Sequence, residues 1–226
     1  MQRLVYALII SVLGSAATAC KPSDKTAEEA TILAVGDSFL DWHSEDAQSI
    51  PDVIGEQLDM ATDNAAVSGA MVLSTDDSAI PNQYREGDWD WVIINGGGND
   101  ITDRCACDDC TDVMGTLIAE DGSSGALRAL AEQAVIDGAQ VVVVGYMNLP
   151  EEAEESPQCD DELVELRARK AAMANSLSGA IFVDASQVMD GTDLDLYDTD
   201  NLHPSVLGSR AVGELIAAAM GAQASP

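Results

Sequence analysis

Basic residues are few. The chain of 226 residues has 10 Lys and Arg against 40 Asp and Glu, a formal net charge of −30. With a sequence pI near 4.1, its surface cannot neutralise a phosphate backbone, which excludes nucleic acid as a partner. Aromatic residues are scarce at 4%, so a core has to be built from Ala, Val, Ile, Leu and Met, as suits α/β layers. Histidine occurs at two positions only, His43 and His203, which leaves any imidazole chemistry two candidates. After the N-terminal segment no apolar run has the length of a bilayer span, and no internal repeat is evident. What is present is an apolar fraction of 46%, a globular value rather than that of a disordered acidic chain. The length fits one domain, which would bury about 70% of its unfolded-chain surface. Acid runs such as Glu151, Glu152, Glu154 and Glu155, then Asp160, Asp161 and Glu162, read as a solvated coat, suited to solubility or salty surroundings. The same charge would repel polyanionic substrates and anionic lipid surfaces.

The N-terminus reads as an address. Leu4 to Gly14 is an apolar run after the single basic residue Arg3, followed by Ser15, Ala16, Ala17, Thr18, Ala19 and Cys20. That is a secretory signal peptide over 1–19, to be set aside from fold reasoning. Two cleavage readings compete. Ala17-Thr18-Ala19 is an Ala-x-Ala site, whereas the stretch ending in Cys20 resembles a bacterial lipoprotein box, with Ala17 where Leu is preferred. Cysteine parity favours the second. Of Cys20, Cys105, Cys107, Cys110 and Cys159, lipidation of Cys20 leaves four thiols, an even number in an oxidising compartment. Residues 20–30 then form a polar tether, and membrane contact is expected only through the lipid of an exported, envelope-anchored protein.

From Thr31 the chain alternates between strand-like and helical patterns. Apolar runs at 31–35, 64–67, 91–95, 140–144 and 181–184 read as strands. Patterns at 47–58, 112–119, 125–137, 160–178 and 204–220 read as helices. Continuous apolar strands are buried on both faces, which means a parallel sheet covered by helices on each side. In such folds ligands sit at the C-terminal strand ends. Chemistry is therefore expected at Gly36–Ser38, after Val67, at Gly96–Asp100 and in a late loop.

The polar signals fall in those places. Ser38, on a strand-to-helix turn, can expose its hydroxyl and offer its N–H to an oxyanion. Alone, Gly36-Asp37-Ser38 is an ordinary turn. A hydroxyl nucleophile needs a base, and His203 lies in Asp200-Asn201-Leu202-His203-Pro204, where an acid three residues upstream can orient the imidazole. By spacing alone this is equally a loop histidine before a helix. Further oxyanion donors are available in the Gly69 N–H of Ser68-Gly69-Ala70 and the Asn99 amide of Gly97-Gly98-Asn99-Asp100. Gly96-Gly97-Gly98 is not a phosphate loop, since neither Gly-Lys-Ser/Thr nor G-x-G-x-x-G accompanies it. The Gly-x-Ser-x-Gly elbow of ordinary α/β-hydrolases is absent.

In this order, Gly36-Asp37-Ser38-Phe39, Asn64–Ala70, Gly97–Asp100 and Asp200–Pro204 resemble the blocks of the SGNH, or GDSL-like, hydrolase superfamily, with Phe39 where the eponymous pattern has Leu. The resemblance covers residues 31–218, within an expected domain of 31–226. It implies a flavodoxin-like three-layer α/β/α sandwich with a five-stranded parallel sheet in the order 2-1-3-4-5. It further implies a serine esterase with Ser38 as nucleophile, His203 as base and Asp200 as its orienter. The oxyanion hole would be formed by Ser38, Gly69 and Asn99, with no metal or organic cofactor. The expected substrate is a small-molecule or glycan ester carrying a short acyl or acetyl group, and the expected state a monomer. Two rivals stand beside this reading: an O-acyltransferase using the same triad, and a non-catalytic lipoprotein that binds a glycan or a partner.

The remaining signals have plainer readings. Cys105, Cys107 and Cys110 with Cys159 could hold a metal, but an exported chain favours disulfides. A bond from the cluster to Cys159 would clip two site-rim loops together, and the sequence leaves all three pairings open. His43 reads as structural or substrate-side, Trp42 as partly buried or pocket-lining, and Trp89 and Trp91 as packing residues.

Overall fold

The structure is a computed structural model that describes residues 30–223, apart from 152, 154 and 155. The leader, Cys20 and the tether through residue 29 lie outside the described residues. Five strands form one parallel sheet: β1 Ile32–Val35, β2 Thr62–Asn64, β3 Trp91–Ile94, β4 Gln140–Gly145 and β5 Ala180–Asp184, in the order β2-β1-β3-β4-β5. This is the expected order. The central strands β1, β3 and β4 carry the longest apolar runs, and Ile32–Val35, Val92–Ile94 and Val141–Val144 are wholly buried, because helices cover both faces.

The helices are α1 Ser38–Asp41, α2 Ile50–Leu58, α3 Ile80–Gln83, α4 Gly98–Cys105, α5 Thr111–Leu117, α6 Ala126–Ile136, α7 Ser156–Ser176 and α8 Val206–Gln223. Helices α2 and α8 pack together on one face of the sheet, reaching β2 and β5, while α6 and α7 cover β4 and β5 from the other. Among the described residues no helix is long and apolar enough to cross a membrane.

Boundaries moved where side chains intervene. The second strand ends at Asn64 rather than starting there. The Asn64 amide donates to Leu40 O at 2.9 Å, and its Oδ1 accepts from Ala66 N at 3.2 Å. That local bonding ends the regular ladder, although Ala65 N and Val67 N still donate to Ala34 O and Gly36 O, and Val67 emerges 41% exposed. Helix α2 starts at Ile50 because Ser49 and Asp52 form a reciprocal capping box ahead of it. Helix α8 starts two residues after Pro204, which is paired with Tyr197 in an isolated antiparallel bridge. The short helices α1, α3 and α4 carry too few turns to show a period in the sequence.

Two disulfides close the β3 side of the sheet. Cys105–Cys110 lies inside the cluster, and Cys107–Cys159 ties the end of α4 to α7, with Cα atoms 5.0 Å apart. All four sulfurs are thus held as disulfides, and the expected clip between rim loops is the observed pairing. The second bond spans 52 residues, so removing it should cost about 3–4 kcal/mol through the entropy it denies the unfolded chain. Denaturant titration of the Cys107→Ser, Cys159→Ser double variant beside the wild type measures this, with Cys105–Cys110 left intact.

Candidate active site

The structure brings the candidate residues Ser38, Asn99, Asp200 and His203 together beyond the C-terminal ends of β1 and β3. Asp37 caps α1: its side chain accepts from Phe39 N at 3.1 Å. Ser38 is therefore the first residue of a helix, where backbone N–H groups have no intrahelical partner. The N–H groups of Ser38 and Gly69 make no hydrogen bond to a described residue. The turn before Ser38 is pinned by a residue the sequence did not mark. Gln83 Oε1 accepts from Gly36 N at 2.7 Å, and Gln83 Nε2 donates to Gly36 O at 2.9 Å.

Two other segments, Ser68–Leu73 and the turn into α4, are fastened in series to this one. Ser68 donates through N and Oγ to Asp41 Oδ2, at 3.0 and 2.6 Å. Ala70 O accepts one hydrogen of the Asn99 amide at 2.9 Å, which leaves the amide's second donor free of that contact. The neighbouring Asp100 is fully buried and accepts from Val72 N and Leu73 N, both at 2.8 Å. Burial pushes its carboxyl up, against those two N–H groups and Arg104. Gly69 and Asn99 are thus held in one register by adjacent residues of α4. The turn from β3 into α4 has φ of 147° at Gly96 and 102° at Gly97, conformations that glycine adopts without strain.

The late loop is a hairpin closed by the Tyr197–Pro204 bridge and by Asp198 N donating to His203 O at 2.8 Å. Asn201 takes a left-handed φ of 56° at its tip, which asparagine tolerates. Across this loop His203 Nδ1 lies 2.6 Å from Asp200 Oδ2, and His203 Nε2 lies 2.8 Å from Ser38 Oγ. Asp200 Oδ1 also accepts from Leu202 N and His203 N. Burial would raise the Asp200 carboxyl, but the His203 ring and these two N–H groups outweigh it and hold it below its usual value.

Trp42 was expected to be partly buried, and it is, with a definite partner. Its ring stacks on the His203 imidazole with centroids 3.8 Å apart and planes 5° apart, while its Nε1 donates to Asp198 Oδ2 at 2.8 Å. His43 sits away from Ser38, its Nε2 3.6 Å from the same Asp198 oxygen. Trp91 is buried and Arg85 lies over the Trp89 ring, so both tryptophans pack as expected.

Ser38, Asn99 and His203 line one pocket of about 290 Å³, whose walls are largely apolar: Phe39, Ile101, Met147, Leu149, Leu163 and the Cys159 end of the disulfide. Gly69 is not among its lining residues. Chemically, a hydroxyl on an oriented imidazole beside spare N–H donors can attack a carbonyl and hold the oxyanion that forms. The sequence also missed Tyr146, which donates to Asp37 Oδ2 and accepts from Gly98 N, and Lys170 behind it. A lone tyrosine and lysine carry no motif.

A parallel sheet in this order with serine, glycine, asparagine and histidine at its strand ends defines an SGNH-type serine hydrolase. The chain belongs to the GDSL-like Lipase/Acylhydrolase family, which it matches over residues 34–211. No curated protein sequence matches it. Solved structures share the fold at low identity. A protein assigned as an SGNH hydrolase from Slackia heliotrinireducens is 22% identical with a TM-score of 0.62, over 84% of this chain and 98% of that one. An acetyl-xylooligosaccharide esterase from Geobacillus is 15% identical with a TM-score of 0.58, over 84% and 93%. A carbohydrate esterase from Myceliophthora fergusii with a carbohydrate-binding domain is 17% identical with a TM-score of 0.60, over 88% and 67%.

Replacing Gln83 by Ala removes the acceptor of the buried Gly36 N–H, while Gly36 O keeps its bond from Val67 N at 3.1 Å. The expected loss of stability is about 2–3 kcal/mol, read from the denaturation midpoint at unchanged slope.

Proposed function

We propose that the chain hydrolyses carboxylic esters through an acyl-serine intermediate. The observation that carries this is the line from Asp200 Oδ2 through the imidazole to Ser38 Oγ, with spacings of 2.6 and 2.8 Å at the mouth of the pocket. Ser38 Oγ attacks the ester carbonyl while His203 Nε2 takes its proton. Negative charge forms on the carbonyl oxygen, for which the N–H groups of Ser38 and Gly69 and the Asn99 amide are the proposed donors. His203 then gives the proton to the departing alkoxide, and the C–O bond breaks. Water repeats the sequence on the acyl-serine, releasing the acid and restoring Ser38. Asp200 keeps Nδ1 protonated and offsets the imidazolium charge throughout.

The proposed substrates are neutral esters of short acyl or acetyl groups on a small molecule or glycan. Two structural relatives are an acetyl-xylooligosaccharide esterase and a carbohydrate esterase, and a chain of net charge −30 disfavours polyanions. The apolar walls and volume of the pocket leave room for acyl groups longer than acetyl.

Aryl acetate and aryl butyrate should both be hydrolysed by residues 21–226. Ser38→Ala should lower kcat/KM by at least about 10³-fold. Asn99→Ala should cost about 10²–10³-fold, mainly in kcat. A wild type no faster than Ser38→Ala on any ester, both folded, would overturn the reading.

We also propose export with a lipid on Cys20. Among the described residues Cys105, Cys107, Cys110 and Cys159 pair among themselves, in keeping with the even number of thiols that lipidation of Cys20 would leave. Mass analysis of the protein purified from membranes should find a diacylated Cys20 as the N-terminal residue, and an unmodified one refutes the anchor.

A further inference from the structure

Helix α7 carries a lysine whose side chain is wholly buried. Lys170 is 0% exposed, its Nζ donates to Val144 O at 3.0 Å, and the same atom lies 4.4 Å from the centroid of the Tyr146 ring. The Tyr146 hydroxyl bonds Asp37 Oδ2 and accepts from Gly98 N at 3.1 Å. Asp37 is itself only 3% exposed and caps the turn of Ser38. An isolated buried ammonium or carboxylate is strongly disfavoured, so the two persist together or not at all. Arg167, the other cation nearby, is spent elsewhere. It bonds the carbonyls of Tyr146 and Met147 and lies 3.8 Å from Asp184 Oδ1 on β5.

We propose that Lys170 is a positioning residue for the Ser38 site. It supplies the countercharge to the Asp37 carboxylate, and through it holds the Tyr146 hydroxyl and the Gly98 turn in register with Ser38. The consequence is mechanical. Gly98 precedes Asn99, so the bond from Gly98 N to Tyr146 Oη and the bond from Tyr146 to Asp37 set the distance between the proposed nucleophile and one proposed oxyanion donor. A shift of that turn by a fraction of an ångström is enough to slow chemistry while the pocket still binds. This rests on the esterase reading above.

The groups facing Lys170 agree on a pH signature. Burial drives its pKa down from 10.5 to about 7, with Asp37 opposing that fall and Arg167 adding to it. Asp37 is pushed up by burial and pulled back by the Tyr146 hydroxyl, Phe39 N, Lys170 and His203. Tyr146 is held far above its ordinary value by burial and by Asp37, with Asp100 adding a smaller push, so it stays a donor. Lys170 is therefore charged below neutrality and loses its charge as pH rises, and with the charge goes the support of Asp37.

The test compares wild type, Lys170→Met, Asp37→Asn and the double variant on an aryl ester, with melting temperatures alongside. At about pH 6, Lys170→Met should lower kcat by roughly tenfold or more with KM within about twofold. The ratio of wild type to Lys170→Met should then shrink toward one by about pH 9, where the wild-type lysine is itself neutral. In the Asp37→Asn background, Lys170→Met should change kcat by less than about twofold, because a residue acting through Asp37 has nothing left to act on. That comparison also serves if Lys170→Met alone does not fold. A pH-independent ratio, or a further tenfold loss in the double variant, overturns the proposal. A wild type no faster than Ser38→Ala instead removes the esterase reading and takes this proposal with it.

Discussion

A single buried carboxylate joins the turns on which the site is built. Asp37 accepts from Phe39 N, so it starts α1 and exposes Ser38 at the first helical position. It also accepts from Tyr146, which accepts from Gly98 N. The ends of β1, β3 and β4 are therefore tied through one side chain. Burying that charge costs several kcal/mol unless hydrogen bonds and a countercharge offset it. The chain answers with a tyrosine hydroxyl, a backbone N–H and a lysine that would otherwise have no reason to lie inside an apolar layer.

The same economy governs the outer ring of the site. Asp41 holds Ser68, Asp100 holds Val72 and Leu73, and Asp198 holds Trp42 against His203. In a chain of net charge −30, several acids thus work as local acceptors for backbone N–H groups and ring N–H donors. The solvated coat is a separate population. Asp160 and Glu162 lie along α7, remote in sequence from the motif blocks.

The fold was largely legible because the central strands are buried on both faces. ILAV at β1, WVII at β3 and VVVV within β4 are continuous apolar runs of strand length, rich in β-branched residues and stopped by glycine or polar residues, which is how a strand buried on both faces reads. The second strand was misplaced for the opposite reason. It is an edge strand, Thr62-Asp63-Asn64, polar and half-exposed, and the apolar Ala65-Ala66-Val67 beside it carries the stronger strand signal. The candidate site was legible only in the order of four short blocks, each of them ordinary by itself: a serine after an Asp cap, Asn64–Ala70, Gly97–Asp100, and an acid three residues before a histidine. Gln83, Tyr146 and Lys170 carry no such pattern, since their partners lie 47, 109 and 26 residues away.

The sequence by itself determined the alternation of strands and helices and the order of the motif blocks, and it nominated Ser38, Asn99, Asp200 and His203 as candidates. Each of those is a short-range matter of hydropathy period or turn chemistry. Only the tertiary structure decided that Cys107 pairs with Cys159, that Trp42 lies flat on His203, and that buried Asp37 and Lys170 both meet Tyr146. Those contacts join segments that are distant along the chain and adjacent only once the parallel sheet has brought its strand ends to one edge.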